Sequence, residues 1–516
     1  MPSKRHLLRS SVVVGFFFFL GSLTGILVEI SIAAHLGLSR RSDVFYIAYT
    51  APYIVTNLIS ATGQFSLVPF FSSFDLEDSP GDLWHGFSYV ITAVVLGLGV
   101  IAAAGAILSP WVIRIIAPGF TAAQMATSAQ LARWLFFVIV PAGAAEAFRS
   151  FLFSQRRFAL GSAAGFFRNI AVIVFILFGF RRWGYYSIVF GYFAGYAAQV
   201  FILGGQVGWS FPVRYALTLK GTGKSFRRLH GAGAAQILAA VGWQGVVIAE
   251  RVIGSFLPPG TITALNYGFK IMTTLSELIS GSVGTSALPA LSRAIAQKAR
   301  TEARRLFHDA AEIMLVLVSP VMACCLAVPR PIIQLVFQHG NFSGEATRRM
   351  ALIFFCYSLS LLLFSGLRLL NFYLFARHEM KSFLSLSALY TALAAGLYVL
   401  YVFVFHLGGP GIPLALFTCL GLTAVAAYAK NLAELKEVCD RKLGVLLVKD
   451  VVAATLAGLV MWRLSLSVRV PQSGPQLFLF LCIVCGIGGG IFLAVMAVWK
   501  AIPVAQVLKV FERSVG

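Results

Sequence analysis

Charge is scarce in this 516-residue chain: only 12% of the residues are charged, and Asp and Glu number 19 against 41 Lys and Arg. Hydrophobic residues make up 59% of the chain, and its mean hydropathy is +0.85. A water-soluble core cannot bury so large an apolar fraction. The composition therefore excludes an ordinary soluble domain and predicts a membrane protein.

The chain also lacks the motifs of metal, disulfide and nucleotide chemistry. Its seven cysteines lie singly or paired in apolar runs, with no CxxC beside histidine or aspartate and no spacing typical of a secreted framework. A GxxxxGK[ST] loop is missing, which argues against direct ATP drive. The sequence predicts inert cysteines, neither metal nor disulfide, no cofactor and no enzymatic activity.

The chain contains instead many apolar runs. Most have a length near the ~20 residues that a helix needs to cross ~30 Å of hydrocarbon. The first run follows Lys4 and Arg5 as in a signal peptide, but it continues past Ile30 without a cleavage site and is predicted to be retained. The pattern predicts an all-α polytopic membrane protein of about fourteen transmembrane helices. The predicted spans lie near 9–35, 43–72, 84–117, 127–155, 160–180, 185–207, 229–257, 263–292, 304–328, 346–376, 382–406, 410–430, 448–468 and 476–500.

Basic residues alternate between the loops and predict the orientation. The even-numbered loops and the termini hold roughly 25 Lys and Arg against about 10 on the other face, which places both termini in the cytoplasm of a bacterial inner membrane. The acidic segment 75–78 and the arginine pairs 40–41 and 181–182 are exceptions. Acidic residues contribute little to this rule, so the orientation is still predicted.

Two segments of the chain recur at nearly constant offset. Residues 58–69 resemble 278–289, and the segment from Pro110 to Thr121 resembles that from Pro331 to Ser343. An even number of crossings separates the copies, which predicts two parallel six-helix pseudo-repeat lobes with a site at their interface. Chance similarity of small-residue helices is the alternative. The predicted parts are lobes 1–207 and 229–430, basic cytoplasmic linkers 208–228 and 431–447, and two further helices with a tail at 448–516.

Several ionisable residues fall inside predicted spans, where each costs about 2.5 to 3.5 kcal/mol unless it faces a cavity or a partner. Basic and acidic groups from both lobes would suit a solvated cavity for an anionic headgroup, since arginine and lysine hold phosphate oxygens. The alternative is internal pairing of Glu146 with Arg149 and Lys270 with Glu277, and snorkelling of Arg251 and Arg368. The candidates are Glu29, Glu146, Arg149, Glu250, Arg251, Lys270, Glu277 and Arg368.

Six blocks of the chain carry a family resemblance: 25–37, 42–49, 63–69, 117–120, 284–292 and 336–343. Together with the sequence in register from about residue 10 to about residue 430, they resemble the MurJ (MviN) lipid II flippase family. The resemblance implies the fold of the multidrug/oligosaccharidyl-lipid/polysaccharide exporters, with two extra helices forming a lipid-facing groove. It implies transfer of an undecaprenyl-pyrophosphate-linked peptidoglycan precursor, coupled to membrane potential or an ion.

The family's cavity arginines are mostly replaced. Ser22 and Val28 stand where helix 1 would carry arginines, and Thr56 stands for the arginine of helix 2. Lys270 preserves the helix 8 charge without the bidentate fork. Other expected polar positions are kept at Glu29, Asp43 and Arg368, and Arg149 and Arg251 are candidates to compensate.

The sequence thus predicts a lipid II flippase by alternating access, whose partners are a lipid-linked glycan, membrane lipids and cell-wall synthesis proteins, without nucleic acid. An O-antigen or exopolysaccharide flippase is the first alternative. A cation-coupled drug exporter and a non-transporting membrane scaffold remain open as well, the scaffold favoured by the missing arginines.

Overall fold

The computed structural model describes residues 4–74, 80–220, 234–377, 380–430, 441–468 and 470–499. Within these ranges the chain is helical and contains no strand. Both termini, the acidic segment 75–78, the linker segments 221–228 and 431–440 and with them Cys439 lie outside these ranges. The predicted orientation of the termini therefore stays a prediction.

The chain forms two compact units, Met1–Thr263 and Ala264–Gly516. Unit 1 begins with α1 (Lys4–Leu36), and its second span combines α2 (Arg40–Thr62), a π-helical turn (Gly63–Leu67) and α3 (Val68–Ser72). Its further helices are α4 (Pro80–Ile116), α5 (Ala122–Phe137), α6 (Ile139–Ser154), α7 (Phe158–Trp183), α8 (Tyr185–Ser210) and α9 (Ala234–Gly254).

The chain passes into unit 2 within α10 (Thr261–Ser276), which continues through a π-helical turn (Glu277–Gly281) into α11 (Ser282–Ala296). Each copy of the first repeat therefore folds as an α-helix interrupted by one π turn. The remaining helices are α12 (Arg300–Ala327), α13 (Pro329–Phe337), α14 (Gly344–Leu359), α15 (Leu361–Ala376), α16 (Met380–Val399) with a π turn (Leu400–Val404), α17 (Gly411–Lys430), α18 (Arg441–Ser467) and α19 (Gly474–Val498).

Eleven helices of the described chain are long and apolar enough to cross a membrane, or twelve if α14 and α15, bent by 42°, form one span. The predicted spans 229–257 and 263–292 fold as α9 and α10–α11 but are not among them. Polar and charged residues such as Glu250, Arg251, Lys270 and Glu277 lower the hydropathy of these two segments. The predicted count of fourteen is not confirmed.

Many apolar residues on the outer surface of each unit are exposed in the described structure, as expected where lipid is the solvent. On α4, Val100 and Ile107 are 70% and 75% exposed. The opposite surfaces are packed with aromatic rings: the centroid of Phe151 lies 5.0 Å from that of Phe87 and 5.7 Å from that of Trp84.

The division after Thr263 differs from the predicted linker at 208–228. The cause is α9, which packs against α2 and α4 of unit 1. The predicted lobe boundaries thus stay a prediction, while the helical architecture with a C-terminal pair, α18 and α19, is observed. These two helices pack on each other and on α12.

One expectation about cysteine is wrong. Cys324 of α12 and Cys485 of α19 form a disulfide, with Cα atoms 5.9 Å apart. The two residues are 161 positions apart in sequence, so local spacing carries no sign of the pairing; it follows from the packing of α19 on α12. Cys325, Cys356 and Cys419 are buried free thiols, as expected.

Candidate substrate-binding site

Asp43 is fully buried near the start of α2 and is saturated by protein donors. One carboxylate oxygen accepts the backbone N–H of Gly260 at 2.6 Å, and the other accepts the N–H and hydroxyl of Thr263 at 3.0 and 2.9 Å. The guanidinium of Arg40 lies 3.8 Å away. The carboxylate therefore ties the segment before α10 to α2 and is not free to bind a ligand in this conformation.

The neighbouring loop 255–260 is held at several further points. The hydroxyl of Ser255 accepts the N–H of Gly119 at 3.0 Å, and Arg40 donates to the carbonyl of Leu257 at 3.3 Å. Gly260 has φ +83°, and a Cβ there would meet the carbonyl of Leu38 at 2.7 Å. Only glycine fits this close approach of two backbones.

Glu250 and Arg251, both predicted site residues, form an ion pair at 3.2 Å in α9. Arg251 also donates to the carbonyl of Ile262 at 3.2 Å, and both side chains are about nine-tenths buried. Arg251 is therefore not snorkelling to an interface. The pair connects α9 to the first turn of α10.

Glu146 and Arg149 pair at 2.5 Å on one face of α6, as the i, i+3 spacing predicts. Glu146 is buried under the π turn of the second span, where a Cβ on Gly63 would overlap its carboxyl group. The guanidinium of Arg149 is about one-third exposed and lies 5.9 Å from the Phe153 ring centroid. Glu146 therefore has a structural role, while the side chain of Arg149 remains accessible to solvent or to a ligand.

Glu29 of α1 is half-buried and accepts a hydrogen bond from the hydroxyl of Tyr46 on α2. Tyr46 is one turn from Asp43, so the predicted acidic residues of α1 and α2 lie on neighbouring helices of unit 1.

Arg168, a partly buried arginine of α7, is a candidate site residue that the sequence did not lead us to predict. Nε and Nη2 of Arg168 both donate to the Oδ1 of Asn169, at 3.2 and 3.1 Å, and Nη1 donates to the hydroxyl of Tyr196 at 3.2 Å. The guanidinium carbon stands 5.1 Å from the Tyr196 ring centroid. In the described part of unit 1 no carboxylate lies within ion-pair distance of it.

Asn169 extends this network to α1, because its amide donates to the carbonyl of Gly21 and the hydroxyl of Thr24 at 3.0 and 3.1 Å. Tyr49 and Tyr192 stack beside it with centroids 4.9 Å apart. The sequence itself indicates this residue, because Arg168 is the one charged residue between positions 160 and 180. Charged residues inside an apolar span are typical of functional sites.

In unit 2, Arg368 of α15 pairs with Glu277 at 3.3 Å. The alternative in which Glu277 pairs with Lys270 is wrong, because Glu277 begins the π turn and meets α15, where Ser276 also bonds Ser365 at 2.9 Å. The ammonium of Lys270 is half-buried and has no ion-pair partner among the residues described.

Asp450 of α18 is a second missed residue. It is fully buried and accepts a hydrogen bond from the hydroxyl of Ser319 on α12. Its other oxygen has no hydrogen-bond partner in the described chain.

An apolar cavity of about 580 Å³ opens in unit 2 between α12, α15, α17 and α18. Its walls carry almost no polar atoms; Leu315, Leu363, Leu370, Phe417 and Leu447 are representative. A hydrocarbon chain suits these walls, whereas a charged headgroup does not. Within the described ranges no three His, Cys, Asp or Glu side chains could together hold a metal ion.

Apolar helices long enough to cross a membrane, with ionisable side chains buried between them, define the class of polytopic helical membrane proteins, and solved structures share this fold. A lipid II flippase MurJ in an inward closed conformation matches with a TM-score of 0.75 at 18% identity, over 95% of this chain and 98% of that one. An inward-facing multidrug resistance MATE family transporter of the MOP superfamily matches with a TM-score of 0.68 at 12% identity, over 81% and 95%.

The sequence profile of the family described as "Lipid II flippase MurJ" matches residues 32–482. The chain therefore belongs to the MurJ family. The probable lipid II flippase MurJ of Thermotoga maritima is 24% identical over 498 residues, 96% of this chain and 95% of that protein. The lipid II flippase MurJ of Burkholderia cenocepacia is 24% identical over 395 residues, 73% of this chain and 75% of its own.

Proposed function

We propose that this protein flips a polyprenyl-pyrophosphate-linked glycan across the bacterial cytoplasmic membrane by alternating access, and that the substrate is the peptidoglycan precursor lipid II. The observation that carries the proposal is the family match over residues 32–482. The probable lipid II flippase MurJ of Thermotoga maritima aligns over 95% of its own length.

The apolar cavity of unit 2 supports a substrate with a hydrocarbon tail. Its wall includes α18, one of the two helices beyond the repeated lobes. A polyprenyl chain in this cavity would be buried against leucine and phenylalanine side chains, at a gain of about 25 cal/mol per Å² of apolar surface if the alternative were water. The lipid bilayer is the actual alternative, so the cavity orients the tail more than it attracts it.

Arg168 supports an anionic headgroup. Three of its N–H donors are used, and a guanidinium has about five. Its charge is not neutralised by a carboxylate in the described part of the unit, and two donors are available for pyrophosphate oxygens. Arg168 thus supplies to the N-terminal unit the kind of group that Ser22, Val28 and Thr56 lack.

Release of the segment 255–263 from Asp43 is the local step that we propose for the conformational cycle. Three hydrogen bonds to one carboxylate hold this segment to α2, and opening here would require breaking them together. The membrane potential or a coupling ion would supply the energy, and no catalytic chemistry is involved.

Complementation tests the proposal directly. Cells depleted of their resident lipid II flippase receive this chain, and growth and the arrival of labelled lipid II at the outer leaflet are measured. We expect rescue by the unchanged chain, a loss of translocation of about tenfold or more in Arg168→Gln, and partial rescue by Arg168→Lys. Arg181→Gln, at the exposed end of the same helix, is the matched control.

Two results would redirect the assignment. Export of an O-antigen or exopolysaccharide lipid without lipid II transfer would make that glycan the substrate. A well-expressed chain that moves neither would favour the scaffold reading, which the replaced arginines at positions 22, 28 and 56 motivate.

A further inference from the structure

A second cavity, of about 660 Å³, lies in unit 1 between α4 and α5. Trp111 and Arg114 line it from α4, and Ala126, Gln130 and Arg133 from α5. The lining residues of α5 recur every three or four positions from 122 to 133, so they all lie on one face of this helix.

The cavity exists because α4 and α5 are in close contact at one level and separate towards the loop that joins them. A Cβ on Gly105 would overlap the ring of Phe136, so α4 and α5 are in close contact at that level. Near the loop that joins them, the α5 face presents alanines at 122, 126 and 129, whose small side chains leave the gap unfilled.

Two exposed arginines give the cavity a net positive charge. Nε of Arg133 donates to the hydroxyl of Ser109 at 3.4 Å, and the guanidinium of Arg114 lies 5.7 Å from the Trp111 ring centroid. Neither arginine forms an ion pair within the described chain, and the cavity lining includes no acidic residue. Two uncompensated guanidinium groups beside one opening attract an oxyanion.

The surroundings of the cavity are apolar. Ile107, Ile115 and Trp134 are exposed by 75%, 68% and 54% and lie on the same two helices. Tryptophan is typical of the boundary between hydrocarbon and headgroups, and arginines at that depth are costly without an anionic partner. A ligand at this place has to be charged at one end and apolar at the other.

We propose that this cavity binds the phosphate group of an anionic phospholipid, with Arg114, Arg133 and Gln130 at the phosphate and the acyl chains along the apolar face of α4. Free inorganic phosphate shares the oxyanion chemistry, but it would leave the exposed isoleucines uncovered. The bound lipid is a component of the surrounding bilayer and is distinct from the transported glycan lipid.

The other unit offers an internal comparison. At the position that the second repeated segment aligns with Arg114, unit 2 has Leu335. Leu335 and Ile332 pack into the apolar cluster formed with α18 and α19. This repeated position thus carries an arginine on the open surface of α4 and a leucine where other helices cover it.

Lipid titration tests the site in the full-length protein. In mixed micelles, binding of phosphatidylglycerol is measured by native mass spectrometry against phosphatidylcholine and against inorganic phosphate. We expect the double variant Arg114→Gln/Arg133→Gln to bind phosphatidylglycerol about tenfold or more weakly, through the loss of two charge-assisted contacts. Arg181→Gln/Arg182→Gln removes the same charge from the exposed end of α7 and is expected to change binding less than about twofold.

A second pair of variants tests the space rather than the charge. Ala126→Trp fills the cavity and keeps both arginines, whereas Ala123→Trp places the same ring on an exposed position outside it. We expect only the first to weaken binding. The proposal would be overturned if both double arginine variants lost lipid binding equally, or if Ala126→Trp left lipid binding unchanged. Competition by inorganic phosphate at the same concentration as the lipid would also overturn it.

Discussion

Among the residues that the structure describes, each unit buries one aspartate completely, and the two are held in opposite ways. Asp43 of unit 1 accepts three hydrogen bonds from Gly260 and Thr263 and has an arginine nearby. Asp450 of unit 2 accepts one from Ser319, and its second oxygen has no hydrogen-bond partner in the described chain. The cost of burying a carboxylate is offset at the first position and hardly at the second. Asp43 is therefore an architectural residue, whereas stability does not account for Asp450.

The same contrast extends to the outer surfaces. The helices α4 and α5 expose arginines, tryptophan and isoleucine, while the corresponding α13 is covered by the C-terminal pair. One repeated segment has thus been adapted to lipid in one unit and to protein in the other.

Removing the carboxylate of unit 1 gives the largest expected effect. Asp43→Ala leaves the buried N–H groups of Gly260 and Thr263 without an acceptor, while the Thr263 hydroxyl keeps Ser42. The free energy of unfolding should fall by about 4 kcal/mol. Chemical unfolding in detergent, followed by tryptophan fluorescence, measures it. Asp43→Asn keeps one acceptor oxygen and should lose less stability. If Asp43→Ala lowered the free energy of unfolding by less than about 1 kcal/mol, Asp43 would not have an architectural role.

The second-largest effect is expected from exchanging residues between the covered surface of α13 and the exposed surface of α4. Leu335→Arg places a charge in the cluster beneath α18 and α19 and should cost about 3 kcal/mol. Its reciprocal, Arg114→Leu, changes an exposed side chain and should leave stability within about 0.5 kcal/mol. Equal effects in a thermal unfolding assay would contradict the difference between the covered and the open surface.

Glycine-to-alanine substitutions in the two units should differ in their effect on the free energy of unfolding, by less than the substitutions above. Gly105→Ala forces a methyl group against the buried Phe136 ring and should cost about 2 kcal/mol. Gly488→Ala in unit 2 meets the side chain of Met461, which is flexible and can move, so its cost should be lower. Gly97→Ala and Gly489→Ala, with no atom within 4 Å of the added Cβ, are the controls; a loss in these equal to that of Gly105→Ala would argue against the close contact.

The smallest effect is expected at Asp450. Asp450→Asn removes a buried charge that has one hydroxyl partner, so the free energy of unfolding should change by less than about 1 kcal/mol or rise. The same substitution at Asp43 serves as the comparison. If Asp450→Asn lost stability as Asp43→Asn does, the contrast between the two aspartates would fail.

Much of the architecture could be predicted, because hydropathy and helical length are local properties. The helical class, the repeat and the C-terminal pair came from runs of residues alone, and so did the Glu146–Arg149 pair, whose members are one turn apart. The disulfide between Cys324 and Cys485 and the pairing of Glu277 with Arg368 could not, since both depend on which helices become neighbours. Arg168 was within reach of the sequence, as the lone charge of an apolar span.

The apolar cavity of unit 2 also bears on selectivity. A volume of about 580 Å³ is in the range that holds drug-sized molecules, so it takes in only part of a long polyprenyl chain. The rest of such a chain would remain among the lipids. If the proposed substrate is correct, recognition would depend on the headgroup and the first isoprene units, and analogues with shortened tails would be accepted alongside the natural lipid.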